Sequence, residues 1–325
     1  MFSETFNQAK NLIQHAGKIL IASHAHPDPD AIGATLAVKR IAENLNREAA
    51  LYNIDGVPDY LKFLPGVAAI KETVDYDGVD LIIGVDYGSF NRLGLDEEKI
   101  AGIPFLTFDH HTASDQRGFL IIDENISSTC EILYHFLNYL EIKVDKDLAT
   151  CLLAGIYEDT GGFRHSNTGE TTLKIAGELL LKGAPLNKIV KYVDQNDLPN
   201  VLKFWAMGLN RTYFDEQAGV VFSFIPYSNF SDSSKEIANF SGLPHLLSTV
   251  PEAKMSALMI EKEPGVIKVS LRSQQERGVD VARVASFFGG RGLRLSAGFT
   301  SQETPEAIME KIRSIIYNES VAVLS

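Results

Sequence analysis

Three short apolar runs in the first third of the chain each lead into aspartate or histidine. Ile19-Leu20-Ile21-Ala22 passes through Ser23 into His24-Ala25-His26-Pro27-Asp28-Pro29-Asp30. Leu81-Ile82-Ile83-Gly84-Val85 ends in Asp86, and Phe105-Leu106-Thr107-Phe108 ends in Asp109-His110-His111. A fourth polar cluster, Tyr157-Glu158-Asp159-Thr160-Gly161, closes a longer apolar stretch. The first three runs are too short for helices and are bounded by Gly, Pro and Asp, so they read as buried strands. A carboxylate is costly to bury unless it is paired or bound to metal. A chain that repeatedly ends buried strands in Asp and His therefore reads as one that builds a metal site.

Between the strands the apolar positions change to helical spacing. Residues 31–44, 129–140, 147–157 and 170–181 carry helical patterns, the third-last opened by the capping-box pair Ser128 and Glu131 and the last stopped by Gly183. Strands alternating with helices predict an α/β fold: a parallel sheet covered on both faces. Ligands of such sheets bind beyond the carboxyl ends of the strands, where His24, Asp86 and Asp109 are expected. The pattern shifts after about residue 185. Residues 186–193 and 201–210 read as helical connectors, and a smaller α/β domain follows. In it, residues 219–225, 254–260 and 266–272 are strand candidates, with Glu263-Pro264-Gly265 as a hairpin turn. Residues 279–287 and 305–317 read as helices. The expected division is 1–185, a linker over 186–210, and 211–325, with the active-site cleft between the two domains.

The chain has 325 residues and a net charge of −12. That balance argues against a protein that coats long nucleic acid, whose affinity comes from phosphate neutralisation by Lys and Arg. It is compatible with a small phosphorylated ligand. No apolar run reaches the roughly 18–20 residues of a membrane span, and the start lacks the basic and apolar regions of a signal peptide. Cys130 and Cys151 sit in apolar helical patterns and read as buried thiols, which predicts a reducing, cytoplasmic setting.

Asp and His ligands without Cys suit Mn2+ or Mg2+ better than structural zinc or an iron–sulfur cluster. Asp28, Asp30, Asp86 and Asp159 together carry −4, which two divalent ions balance, so a two-metal site clamping a phosphoryl group is consistent with the residues. Taken singly, each element has an ordinary reading. Asp28 or Asp30 reads as a helix N-cap, His26 as loop scaffolding, Asp86 as a turn cap, and Asp159 as an Asx turn. Four element ends carrying the same residue types make four separate explanations a poor account.

Asp109-His110-His111 resembles the signature of the DHH phosphoesterase superfamily. The accompanying motifs match in order: His-x3-Asp-x-Asp-x2-Gly at residues 24–33, Asp86 followed by Asn91-Arg92-Leu93-Gly94, and Asp159-Thr160-Gly161 followed by Phe163-Arg164. The resemblance covers essentially the whole chain and is greatest to the bacterial nano-RNase and pAp-phosphatase branch, which carries a DHH-associated C-terminal domain. It implies two Mn2+ ions, with Mg2+ as the alternative, and a metal-activated water that attacks phosphorus. His24, Asp28 and Asp86 would hold one ion; Asp30, Asp86, His110 and Asp159 would hold the other. His111 would lie beside the scissile phosphate, and Asp109 would orient its neighbours. Arg92 and Arg164 are candidates to contact substrate phosphates.

The second domain departs from the family pattern. Relatives carry a glycine-rich loop that grips the substrate's nucleotide end, Gly-Gly-Gly-His, two residues, then Ala-Ala-Gly; the corresponding loop of this chain reads Gly290-Arg291-Gly292-Leu293-Arg294-Leu295-Ser296-Ala297-Gly298. Arg291 replaces a glycine, and Leu293 replaces a histidine and cannot hydrogen-bond a phosphate or base. Arg291 or Arg294 could supply positive charge instead, and Arg272 resembles an intact family substrate contact. The implied activity is hydrolysis of oligoribonucleotides of about two to five nucleotides or of 3′-phosphoadenosine 5′-phosphate (pAp). The alternatives are a cyclic- or linear-dinucleotide phosphodiesterase and, in a different class, a nucleotide-binding protein with vestigial catalysis. The expected partner is a short RNA or small nucleotide, with neither long nucleic acid nor membrane; a homodimer is compatible.

Overall fold

The structure, a computed structural model, describes residues 3–111, 115–194, 198–230, 240, 242–277 and 279–322. The chain divides into two compact units, Met1–Asn196 and Asp197–Ser325.

In the first unit, six parallel strands form one sheet: β1 (Lys18–Ser23), β2 (Glu48–Tyr52), β3 (Ile70–Lys71), β4 (Leu81–Val85), β5 (Phe105–Asp109) and β6 (Phe119–Ile122), in the order β3-β2-β1-β4-β5-β6. The central strands are apolar almost throughout because both of their faces are covered. Ile19 and Ile21 face one side and Leu20 and Ala22 the other. Each such isoleucine or leucine side chain, fully buried, contributes about 1.5–3 kcal/mol. The helices α1 (Ser3–His15), α2 (Pro29–Asn44), α3 (Thr129–Tyr139), α4 (Lys146–Asp159) and α5 (Glu170–Leu181) pack into the core on the first side. The second side is covered by chain between strands, chiefly Val79, Tyr87, Leu95, Ile100 and the 3-10 turn Phe90–Leu93. A further helix, α6 (Leu186–Val193), joins the core through Ile189.

The register brings the polar strand ends together. Ser23 pairs with Val85 and Val85 with Phe108, so β1, β4 and β5 end level. The strand order reverses between β1 and β4, the position where open parallel sheets present a crevice. His24 and Asp86 are the first residues beyond those two strands. Asp109 is the last residue of β5 itself rather than the first beyond it. Helix α2 starts at Pro29, two residues earlier than its apolar spacing indicates, because Asp28 caps it by accepting the Ala31 N–H at 2.9 Å and proline suits the first helical position. Asp30 thereby falls inside the first turn. Helices α2 and α4 pack at glycine: a Cβ on Gly33 would lie 2.6 Å from the Cys151 carbonyl oxygen, and one on Gly155 2.5 Å from Asp30 Oδ1.

The second unit is a six-stranded mixed sheet in the order β11-β12-β10-β9-β8-β7. Its strands are β7 (Thr212–Asp215), β8 (Val220–Ile225), β9 (Met255–Glu263), β10 (Val266–Ser273), β11 (Arg291–Leu293) and β12 (Ser296–Ser301). β8 and β9 run parallel; the other neighbours are antiparallel. Pro264-Gly265 forms the β9–β10 turn, with Gly265 at φ +78°. Helices α9 (Val281–Ser286) and α10 (Pro305–Ala322) cover one face. Helices α7 (Leu198–Leu209) and α8 (Leu243–Ser248) pack on the other, over β8 and β9. Among the described residues no helix is long and apolar enough to cross a membrane, and Cys130 and Cys151 are buried free thiols.

Candidate metal centre

Seven side chains meet at the carboxyl ends of β1, β4 and β5, the start of α2 and the end of α4. His24 is buried, and its Nδ1 lies 2.9 Å from the Ala25 carbonyl oxygen. Its Nε2 faces Asp28 Oδ2 at 3.3 Å and Asp86 Oδ2 at 3.4 Å. His110 Nε2 lies 3.2 Å from Asp159 Oδ2 and 3.6 Å from Asp86 Oδ1. Three sets each offer one donor atom per residue within 4.8 Å of one another: His24, Asp28 and Asp86; Asp30, His110 and Asp159; and Asp86, His110 and His111. Asp86 thus turns one oxygen toward His24 and the other toward His110. It occupies the left-handed region at φ +51°, which Asp tolerates better than most residues.

The donor set fits divalent cations. Asp30 is wholly buried and Asp86 is 2% exposed. Among the described residues the ion pairs of Asp28, Asp86 and Asp159 all run to histidines. His110 Nε2 and Asp159 Oδ2 are buried without a hydrogen bond although only 3.2 Å apart, so their polar atoms share a space rather than satisfy each other. Buried orphan atoms of this kind require a partner.

Electrostatics follow from the crowding. Burial and the Asp86 charge push the Asp30 carboxyl up; burial with Asp30 and Asp86 does the same to Asp159. Burial also opposes ionisation of Asp86, but hydrogen bonds from His111 and His24 outweigh it and hold that carboxyl below the usual range. At His24 burial favours the neutral ring, yet Asp28 and Asp86 override it and raise the pKa to about 10. Burial lowers that of His110. Glu158, singled out by no sequence signal beyond its place before Asp159, is raised to about 7 by burial and by Asp28. Carboxylates this dense stay ionised together only when cations balance them.

A second layer holds this set. Asp30 accepts the Thr129 N–H at 2.7 Å and the Cys130 N–H at 2.9 Å, and the Thr129 hydroxyl donates to Asp86 Oδ1 at 3.2 Å. Asp109 is fully buried; its Oδ2 accepts from the Tyr87 and Gly88 N–H groups and from Gln116 Nε2, and its Oδ1 from the His111 N–H. The Ser128–Glu131 capping signal located the start of α3, but nothing in it indicated that this start points at Asp30. His26 is 94% exposed at its side chain and pairs with Asp55, outside the cluster.

Arg92 lies on the turn after Asp86. Its Nη1 donates to the Tyr87 carbonyl at 3.2 Å, and its own carbonyl accepts the Ala25 N–H at 2.7 Å. Arg164 is exposed on the loop after Asp159, with Nε bonded to the Gly161 carbonyl at 2.5 Å. Arg272, Gly290, Arg291, Gly292 and Arg294 belong to the second unit. There the stretch read as a glycine-rich loop is in part an edge strand: β11 covers residues 291–293, and Arg294-Leu295 forms the turn to β12. A Cβ on Gly290 would lie 2.4 Å from the Gly298 carbonyl oxygen, and one on Gly292 2.4 Å from Ala297 Cα, so both glycines serve strand packing. Arg272 pairs with Ser296 and Ser296 with Leu293, which puts Arg272 and Leu293 in one cross-strand row on one face. Leu293 is 76% exposed.

The model of the DHH family, N-terminal domain, matches residues 18–156, from β1 into α4. The chain is 28% identical over 309 residues to the bifunctional oligoribonuclease and PAP phosphatase NrnA of Thermus thermophilus, covering 91% of this chain and 90% of the relative. It is 22% identical over 326 residues to the cyclic-di-AMP phosphodiesterase GdpP of Bacillus subtilis, covering 94% of this chain and 48% of that protein. Among solved structures, an exopolyphosphatase-related protein from Bacteroides fragilis shares the fold at a TM-score of 0.82 and 22% identity, over 99% of this chain and 98% of the other. With Asp109-His110-His111 at the end of β5 inside the matched region, the N-terminal domain of this chain belongs to the DHH family.

Proposed function

We propose that this chain is a divalent-metal-dependent phosphoesterase that hydrolyses short oligoribonucleotides, of about two to five nucleotides, and pAp. The observation that carries the reading is the shared position of Asp86, with one oxygen toward His24 and Asp28 and the other toward His110. His24, Asp28 and Asp86 would hold one cation, and Asp30, Asp86, His110 and Asp159 the other; Mn2+ suits this donor set, with Mg2+ the alternative. When bound, such a pair supplies charge stabilisation at the phosphoryl group and acidifies water.

The remaining roles fall to the chain itself. Asp109 and Asp86 raise His111 to a pKa of about 10. It is half-exposed at the edge of the cluster, placed to protonate the oxygen that leaves phosphorus as the P–O bond breaks. Arg92, on the turn that follows Asp86, would bind a substrate phosphate. The name of the Thermus relative supports both substrates.

A dinucleotide phosphodiesterase is the second reading. It is favoured by the row that sets Leu293, where relatives carry histidine, on the face that bears Arg272. A Mn2+-supplemented hydrolysis panel of pAp, linear di- to pentanucleotides, cyclic dinucleotides and pyrophosphate tests both. Turnover highest on pAp and linear fragments supports the first reading, and turnover confined to dinucleotides supports the second. No metal-dependent hydrolysis of any member contradicts both.

A further inference from the structure

We propose that Thr129 is a positioning residue that joins the two buried carboxylates of the metal centre, Asp30 and Asp86, into one rigid unit. The inference rests on the metal reading above and adds a residue to it that no sequence motif marks. Thr129 is fully buried. Its backbone N–H holds Asp30 Oδ2 at 2.7 Å, while its hydroxyl donates to Asp86 Oδ1 at 3.2 Å. The Cys130 N–H takes the other Asp30 oxygen. One residue therefore fixes one oxygen of each carboxylate, and of the two only Asp86 also faces the His24 and Asp28 donors.

Thr129 is itself held. It is the first residue of α3, whose free N–H groups point out of the helix end. Ser128 caps that end by accepting the Glu131 N–H at 3.1 Å. Glu131, 2% exposed, accepts the Ser127 N–H at 3.3 Å, the Thr172 hydroxyl at 2.9 Å, and the Ser127 hydroxyl. The first turn of α3 is thus clamped from behind by α5, and the β-branched side chain of threonine restricts the direction of the hydroxyl. A carboxylate oxygen that receives a fixed donor presents its remaining lone pair in a fixed direction, which is what a cation with set coordination distances requires. Groups behind metal ligands commonly change metal affinity when removed.

The test compares Thr129→Val, Thr129→Ala and Thr129→Ser with the wild type, using calorimetric Mn2+ titration together with thermal unfolding of the metal-free proteins. Valine and alanine keep the N–H and remove the hydroxyl; serine keeps both. Apparent Mn2+ affinity is expected to fall about tenfold or more in the valine and alanine variants and to stay within about threefold in the serine variant. The metal-free unfolding midpoint of the serine variant is expected to stay at the wild-type value, and so is that of at least one hydroxyl-free variant. Wild-type affinity in a folded valine or alanine variant overturns the inference. So does a serine variant as weak as they are, or loss of affinity only where the fold is lost. No Mn2+ binding by the wild type overturns the metal reading, and the inference with it.

Discussion

Nδ1 of His111 lies 3.0 Å from Oδ1 of Asp109, and the same oxygen accepts the His111 backbone N–H at 2.9 Å. The opposite oxygen of Asp109 is held by the Tyr87 and Gly88 N–H groups at 2.9 and 2.8 Å. The carboxylate is fixed from both sides, and the imidazole is fixed by it. On the proposed reading His111 transfers a proton and holds no cation, although it lies in one of the three donor sets. His111→Asn is expected to lower kcat by roughly 10²–10⁴ at saturating Mn2+, with the number of bound ions unchanged. Steady-state kinetics and equilibrium metal binding on the same variant check this; loss of an ion would make His111 a ligand instead.

Gly155 of α4 faces Asp30 of α2. A Cβ there would lie 2.5 Å from Asp30 Oδ1 and 2.6 Å from Cys130 Sγ, closer than real Cβ atoms come. Gly155→Ala is expected to displace Asp30, weaken Mn2+ binding and destabilise the chain by roughly 1–3 kcal/mol through overpacking. Thermal unfolding without metal and a Mn2+ isotherm check it. Both unchanged would mean that α2 and α4 separate at little cost.

Much of the first unit was legible because burial on both faces leaves a strong signal. The runs ending at Ser23, Val85 and Phe108 are apolar enough to be read as strands, and their Asp and His ends stand out against them. β2, β3, β6 and α1 were not legible: Glu48–Tyr52 and Phe119–Ile122 are partly exposed, and Ile70–Lys71 is two residues long. The ligand candidates could be read from the sequence because each is a chemically costly residue at an element end. Thr129, Gly155 and Glu158 could not. Their importance lies in what approaches them from elements far along the chain, as Thr129 meets Asp30 across a separation of 99 residues. The stretch at Gly290 was misread as wholly loop because glycines that admit a neighbouring strand look the same in sequence as glycines that admit a ligand.

In the second unit, Asp215 at the end of β7 is 7% exposed and accepts the Ala218 N–H at 3.0 Å and Arg313 Nε at 2.6 Å. The Ala218 N–H, then Arg313, lower its pKa below the ordinary carboxylate value. A carboxyl depressed on folding stabilises above its unfolded pKa, and that contribution is lost as pH falls through the folded value. Asp215→Asn is expected to lower stability by roughly 1–2 kcal/mol at pH 7, since Arg313 is one-third exposed and partly screened. The gap between variant and wild type should close below about pH 4. Urea unfolding from pH 7 down to pH 3 checks the sign; a gap that widens toward acid would contradict it.

Asp86, whose two oxygens face His24 at 3.4 Å and His110 at 3.6 Å, is proposed to serve two cation sites at once. Equilibrium Mn2+ binding to the wild type and to Asp86→Ala tests it most directly, with circular dichroism to establish that the variant is folded. Two ions per wild-type chain are expected, and fewer than two with no measurable hydrolysis in the folded variant. Two ions per chain retained in Asp86→Ala would contradict it.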